Sequence, residues 1–303
     1  MYETHFGLRE PPFGITPDTS FAFASNAHQE ALNTLLVAAR NGEGFMKVTG
    51  EVGTGKTLLC RRFLGALDAR FVSAYIPNPY LEPRTLMFAL AEELGVSLPR
   101  EADQHQLLKE LSRALLNFAR QGKSVVLCLD EAQAMPAETL EALRLLTNLE
   151  TEKRKLLQVV LFGQPELDVR LAADSIRQLR QRITFQYEMT ALSRDEVEQY
   201  LAHRLRVAGY KGHRLFAPAA VNVLHKASRG VPRLLNVIAH KALILAFGEG
   251  VYQVSAHQAR MAVADTPSAV GTRRSRWLVA GIAVAVLLAV AAVVVTLSGA
   301  VSP

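Results

Sequence analysis

Residues 50–57 read GEVGTGKT, preceded by the apolar run FMKVT and followed by the amphipathic stretch LLCRRFLGAL. A short strand, a glycine-rich turn and then a helix is the context in which G-x-x-x-x-G-K-[ST] wraps a phosphate chain. Gly50, Gly55, Lys56 and Thr57 complete that pattern, and Gly53 adds a third glycine within it. The glycines let successive backbone N–H groups curl around an anion, and the helix N-terminus adds its positive partial charge. Lys56 is expected to reach the β- and γ-phosphate oxygens and Thr57 to offer a hydroxyl to Mg2+. Glu51, Val52, Thr54 and Leu58 fill out the expected contact surface. Such a loop must hang from a buried parallel strand, so the chain is constrained to an α/β fold with ATP and Mg2+ as its expected ligands.

A second strand, KSVVLCLDEAQ, runs Val125–Leu129 without a polar residue directly into Asp130 and Glu131, as expected of a strand covered on both faces. Asp130 is expected to help hold Mg2+, and Glu131 to accept a proton from, or orient, the attacking water. Between loop and acidic pair lie two helical stretches and the strand-like RFVSAYIPN. A further strand, KLLQVVLFGQPEL, places Gln164 just past its apolar run, where a polar side chain can reach the γ-phosphate or the lytic water. In SIRQLRQRITFQYEM a basic helix end leads into another strand. Arg180 and Arg182 both precede that strand, where an arginine can enter a neighbouring subunit's site; Arg182 is favoured because it immediately precedes the strand, and Arg180 stays open as the alternative.

After Leu192 the pattern turns wholly helical. Ser193 and Glu196 form an expected capping box, Pro218 opens the next helix and Gly230 closes it, and GVPR puts Arg233 in the first turn of a third. Four short helices behind an α/β core make a lid, and Arg233 is expected to reach the β- and γ-phosphates from it. The two cysteines, Cys60 and Cys128, sit in apolar runs and read as core residues, and the eight histidines show no metal-ligand spacing.

The chain's formal charge is +6, but Arg273, Arg274 and Arg276 supply three of those charges and leave residues 1–272 at only +3, a weak footprint for nucleic acid. These arginines precede residues 277–297, WLVAGIAVAVLLAVAAVVVTL, which carry no ionisable group. About 20 apolar residues cross a hydrocarbon core roughly 30 Å thick, so this segment reads as a transmembrane helix, with Trp277 at the interface and the basic side cytoplasmic. The start has no basic stretch leading into an apolar one, hence no expected signal peptide. The expected organisation is a P-loop core over 1–191, a helical lid over 192–264, a linker with a basic cluster over 265–276, the span at 277–297 and a short periplasmic tail at 298–303.

Taken in order, these blocks resemble an AAA+ ATPase: a parallel sheet between helices, then a helical lid. HFGLREPPFGITPDTSFAFASNAHQEALNTL, LDEAQAMPAETLEALRLLTNLET and SRGVPRLLNVIAHKALILA are similar, more narrowly, to the general secretion pathway protein A family, over roughly residues 2–262. Its members assist assembly of type II secretion machines and of MSHA-type IV pili. That resemblance implies an ATP hydrolase with the phosphate loop, Asp130, Glu131, Gln164, Arg182 and Arg233 in the roles above. It also implies self-association, possible as a ring, and contact with inner-membrane pilus or secretion assembly proteins. The short tail favours the pilus type and disfavours peptidoglycan binding.

The expectation at this level is a single-pass protein of the bacterial inner membrane, with the lipid bilayer as a partner and nucleic acid disfavoured. Two other functions remain open: a DNA-binding transposition-helper-like ATPase, and a nucleotide-gated scaffold with negligible turnover.

Overall fold

A computed structural model describes residues 2–269 apart from 100, 152 and 153. In chain order the helices are α1 (Tyr2–Phe6), α2 (Asn26–Asn41), α3 (Lys56–Ala66), α4 (Pro83–Glu93), α5 (Gln104–Arg120), α6 (Ala137–Leu146), α7 (Glu166–Leu171), α8 (Arg177–Arg180), α9 (Arg194–Val207), α10 (Pro218–Ser228), α11 (Pro232–Gly248) and α12 (Ala256–Ala264). The strands are β1 (Phe45–Gly50), β2 (Phe71–Ile76), β3 (Ser124–Leu129), β4 (Glu150–Thr151), β5 (Arg154–Lys155), β6 (Leu157–Gly163) and β7 (Ile183–Met189). β4 and β5 form a small antiparallel pair, while the other five make one sheet in the order β2-β3-β6-β1-β7. Every pairing in that sheet is parallel.

The period-two alternation of the strands separates two cores. Val125, Leu127, Leu129, Leu157, Val159 and Leu161 face α4, α5 and α6, packing with Leu86, Leu90, Leu107, Leu111 and Leu143. Val126, Cys128, Val160 and Phe162 face the other way, onto Leu32 and Leu35 of α2 and Leu59, Cys60 and Phe63 of α3. Cys60 and Cys128 are free and buried, within this second core. Because all five strands run in one direction, their C-terminal ends open on one edge, and loops leaving β1, β3 and β6 emerge side by side there.

α9–α12 form the lid around a third core. The Ser193/Glu196 capping box is present at the start of α9, and Pro218 and Pro232 open α10 and α11. Tyr2, Phe6, Leu8, Phe13 and Phe21 pack into this lid core and not against the sheet. Arg204 of α9 fastens the incoming segment: it donates through Nε to Pro12 O and through Nη2 to Gly14 O (3.3 Å), and stacks 4.7 Å over the Phe21 ring. Asn236 adds a second bond to Gly14 O at 3.1 Å and receives one from Tyr200 OH at 2.8 Å.

The expectation of a transmembrane helix is corrected here. Among the described residues no helix is long and apolar enough to cross a membrane. α5 and α11, at 17 residues each, span about 25 Å, short of a hydrocarbon core of about 30 Å, and both carry charged residues. Residues 277–297, on which the expectation fell, lie outside the described residues. The membrane anchor, the single-pass inner-membrane topology, the periplasmic tail and the lipid partner therefore have no support among the described residues.

Candidate nucleotide site at the strand ends

β1 is buried along its whole length and delivers Gly50 to the open edge of the sheet. The loop that follows turns on two left-handed glycines, Gly53 (φ 83°) and Gly55 (φ 98°). A Cβ on Gly53 would lie 2.5 Å from Arg233 Cβ, and one on Gly55 2.8 Å from His28 Nε2, so both positions exclude side chains. Thr54 ties the turn through its N–H (3.3 Å) and hydroxyl (2.8 Å) to Glu51 O. α3 then starts at Lys56 with no side-chain cap on its first N–H groups, leaving them for an anion.

Lys56 is buried, and its ammonium donates to Gly50 O (2.7 Å) and Glu51 O (3.0 Å). Burial pulls its pKa below 10.5, partly opposed by the Glu131 and Asp130 charges. Thr57 Oγ1 donates to Asp130 Oδ2 at 2.6 Å, joining loop to β3, and Tyr75 OH of β2 approaches the same oxygen at 3.5 Å. Burial raises the Asp130 pKa above 3.8 against the lowering effect of the Thr57 hydroxyl and the Glu131 N–H. A hydroxyl and a buried carboxylate in contact form the hard oxygen pair that Mg2+ takes, so these residues fit Mg2+ beside a phosphate chain.

Glu131 adopts a left-handed conformation (φ 55°) uncommon outside glycine, and this redirects the chain from β3 back across the strand ends. Its Oε2 accepts from Gln133 Nε2 (2.6 Å) and Gln164 Nε2 (3.0 Å), while Gln133 Oε1 accepts from the Gln164 N–H (3.0 Å). Burial acts to raise the Glu131 pKa, but the two amide donors and the Lys56 charge outweigh it and hold the carboxyl below 4.5. From the lid, the Arg233 N–H donates to Gly53 O at 3.2 Å. Arg233, Arg229, Glu51 and Val52 line a cavity of about 580 Å3 between loop and lid.

Lys56, Thr57, Asp130, Glu131 and Gln164 are thus drawn together by β1, β3 and β6, with Arg233 poised above through α11. Leu58 is half-buried in the first turn of α3. Arg182 and Arg180 lie apart from this cluster: Arg182 donates to Arg144 O at 3.4 Å, and Arg180 is exposed at the end of α8. Two residues of the site were not singled out in the sequence. Gln133 stands in the DEAQ string beside its partner Glu131, but it acquires Gln164 as a second partner only once β6 lies beside β3. His28, buried on α2 and bonded to Ser25 Oγ at 2.6 Å, backs the loop at Gly55, and no local pattern marks it. No cluster of three or more His, Cys, Asp and Glu residues suited to a metal ion occurs among the described residues.

A parallel sheet in this strand order, a phosphate loop after β1, an acidic pair after β3 and a helical lid are the arrangement of an AAA-type domain. The family model described as "AAA domain" matches residues 39–171. The chain is related to General secretion pathway protein A of Aeromonas hydrophila, 44% identical over 254 residues, which covers 84% of this chain and 46% of that protein. It therefore spans less than half the length of the curated relative it matches.

Among solved structures, the Aeropyrum pernix ORC2 protein in its ADP form superposes with a TM-score of 0.61 at 18% identity, over 85% of this chain and 75% of that one. Drosophila ORC bound to DNA gives 0.61 at 19%, over 90% and 67%. At such identity the likeness is one of fold. The AAA domain at residues 39–171 implies ATP and Mg2+ binding in general terms.

The expectation that nucleic acid is disfavoured is also corrected. It rested on a charge averaged over the chain, whereas the lid residues 192–264 hold ten Lys and Arg against four Asp and Glu. The fold, moreover, is shared with a protein solved bound to DNA.

Proposed function

We propose that this chain binds and hydrolyses ATP and uses the cycle to assist assembly of a secretion or pilus machine of the general secretion pathway type. The observation that carries the ATPase part is the meeting of Lys56, the Thr57–Asp130 pair and the Glu131–Gln164 pair at the ends of three adjacent strands. Relatedness to General secretion pathway protein A supports the assembly part.

In this reading the first N–H groups of α3 and the Lys56 ammonium hold the β- and γ-phosphates, Lys56 exchanging its loop carbonyls for phosphate oxygens. Thr57 and Asp130 would hold Mg2+, which supplies charge neutralisation between the phosphates. Glu131 takes up a proton from, or orients, the attacking water, and Gln164 contacts that water or the γ-phosphate. Arg233 enters from the lid. Arg182, with Arg180 as the alternative, serves the site of an adjacent copy in a homo-oligomer.

Phosphate release by the purified protein, wild type against Glu131→Gln, tests this. Hydrolysis falls about 100-fold or more while nucleotide affinity stays within about 3-fold. Lost binding with the substitution, or full hydrolysis, overturns the role of Glu131. Whether the partner belongs to a pilus of the MSHA type or to a secretion system is decided by which assembly proteins the ATP-loaded chain retains.

Work on nucleic acid is a second reading, favoured by the concentration of positive charge on the lid. Duplex DNA that bound weakly and without changing ATP turnover at about 0.15 M salt would remove it.

A further inference from the structure

Gln133 is the one side chain at the site with a bond at each end and no role in the reading above. Its Nε2 donates to Glu131 Oε2 at 2.6 Å and its Oε1 accepts from the Gln164 N–H at 3.0 Å. Gln164 closes the ring by donating through its own Nε2 to the same Glu131 oxygen at 3.0 Å. Both amide donors fall on Oε2, and among the described residues Oε1 has no donor. An acid–base carboxylate needs this division: one oxygen anchored to fix the plane, the other left for water. Anchoring matters more here because the Glu131 backbone is left-handed, a conformation that persists only where surrounding contacts impose it. Gly163, at the end of β6, keeps the ring closed, since a Cβ there would lie 3.3 Å from Gln133 Oε1 and 2.8 Å from Leu167 Cδ2.

We propose that Gln133 is a positioning residue for hydrolysis: its amide locks Glu131 to the end of β6, so that Oε1 faces the water and the Glu131 and Gln164 side chains move as one unit. This rests on the reading of Glu131 given above. A contact made by the γ-phosphate with Gln164 is then passed to Glu131 by two routes, directly through Nε2 and through Gln133 from the Gln164 backbone.

Single-turnover hydrolysis and nucleotide affinity are measured on wild type, Gln133→Met, Gln133→Glu, Glu131→Gln and the double variant Glu131→Gln/Gln133→Met. Methionine keeps the length and removes both bonds. Glutamate keeps an acceptor for the Gln164 N–H but turns a carboxylate towards Glu131. Both single variants at position 133 are expected to lose about 10- to 100-fold in rate with affinity within about 3-fold of wild type. In the Glu131→Gln background, Gln133→Met is expected to cost nothing further, because the group it positions is gone.

A Gln133→Glu protein as fast as wild type shows that only the Gln164 tie matters and overturns the proposal. Multiplicative losses in the double variant overturn it too, as does Gln133→Met at full rate. If Gln133→Met is poorly folded, Gln133→Glu alone decides. Should Glu131→Gln itself hydrolyse at the wild-type rate, the underlying reading of Glu131 fails; a slow Glu131→Gln beside a fast Gln133→Met sinks the Gln133 proposal alone.

Discussion

Asp130 shows how a site trades stability for readiness. Its carboxyl is raised above 3.8 by burial, so between that value and its folded pKa the folded protein holds more protons than the unfolded chain. Stability therefore falls as pH rises through that window. Asp130→Asn, which keeps an acceptor for the Thr57 hydroxyl, is expected to raise the Tm at pH 7 without nucleotide and to abolish the further rise given by Mg2+ and ATP; unchanged melting would remove the argument. His28 works in the opposite direction. Burial lowers its pKa below 6.5, so below about that pH the unfolded chain takes up a proton that the folded protein resists, and stability declines as pH falls. Gly55→Ala brings a methyl to 2.8 Å from the same imidazole at φ 98°, and is expected to cost at least about 1 kcal/mol in denaturant melts and to weaken nucleotide binding.

At the scale of elements, the strands were legible and their neighbours were not. The apolar runs ending at Gly50, Asp130 and Gln164 each point to a covered strand, because a strand buried on both faces is built mainly of apolar residues. Nothing within those runs says that β6 lies between β3 and β1, yet that order brings Gln133 to Gln164, 31 residues away. Lys47 is a similar case. It interrupts β1, is almost wholly buried, and is balanced by Asp168 from α7, a pairing that only the fold creates. Asp168→Ala leaves that ammonium uncompensated and is expected to cost about 2 kcal/mol, at the low end for a buried pair because Asp168 is half exposed. Lys47→Met, which removes the charge instead, is expected to cost less; equal losses would mean that the pair contributes only through packing.

For the molecule as a whole, the lid was readable as four helices because capping residues and prolines mark their starts locally. What it packs against was not, since the contacts of Tyr2, Pro12 and Gly14 with the lid run between residues about 190 to 240 positions apart. Arg204→Ala tests how much this matters. It removes the bonds to Pro12 O and Gly14 O together with the stack on Phe21, and is expected to cost about 2 kcal/mol and to expose the segment before α2 to proteolysis. Unaltered cleavage there would mean that the apolar contacts alone hold the segment.

With Tyr2, Phe6, Leu8, Phe13, Phe21 and Phe23 packed on the lid and α2 packed on the sheet, the chain passes between the two bodies twice, at residues 24–25 and at residues 190–191. A body suspended from one cord can swing in any direction. One suspended from two is restrained to rocking about the line that joins them, and a change at the phosphate loop would reach the lid as movement about that line.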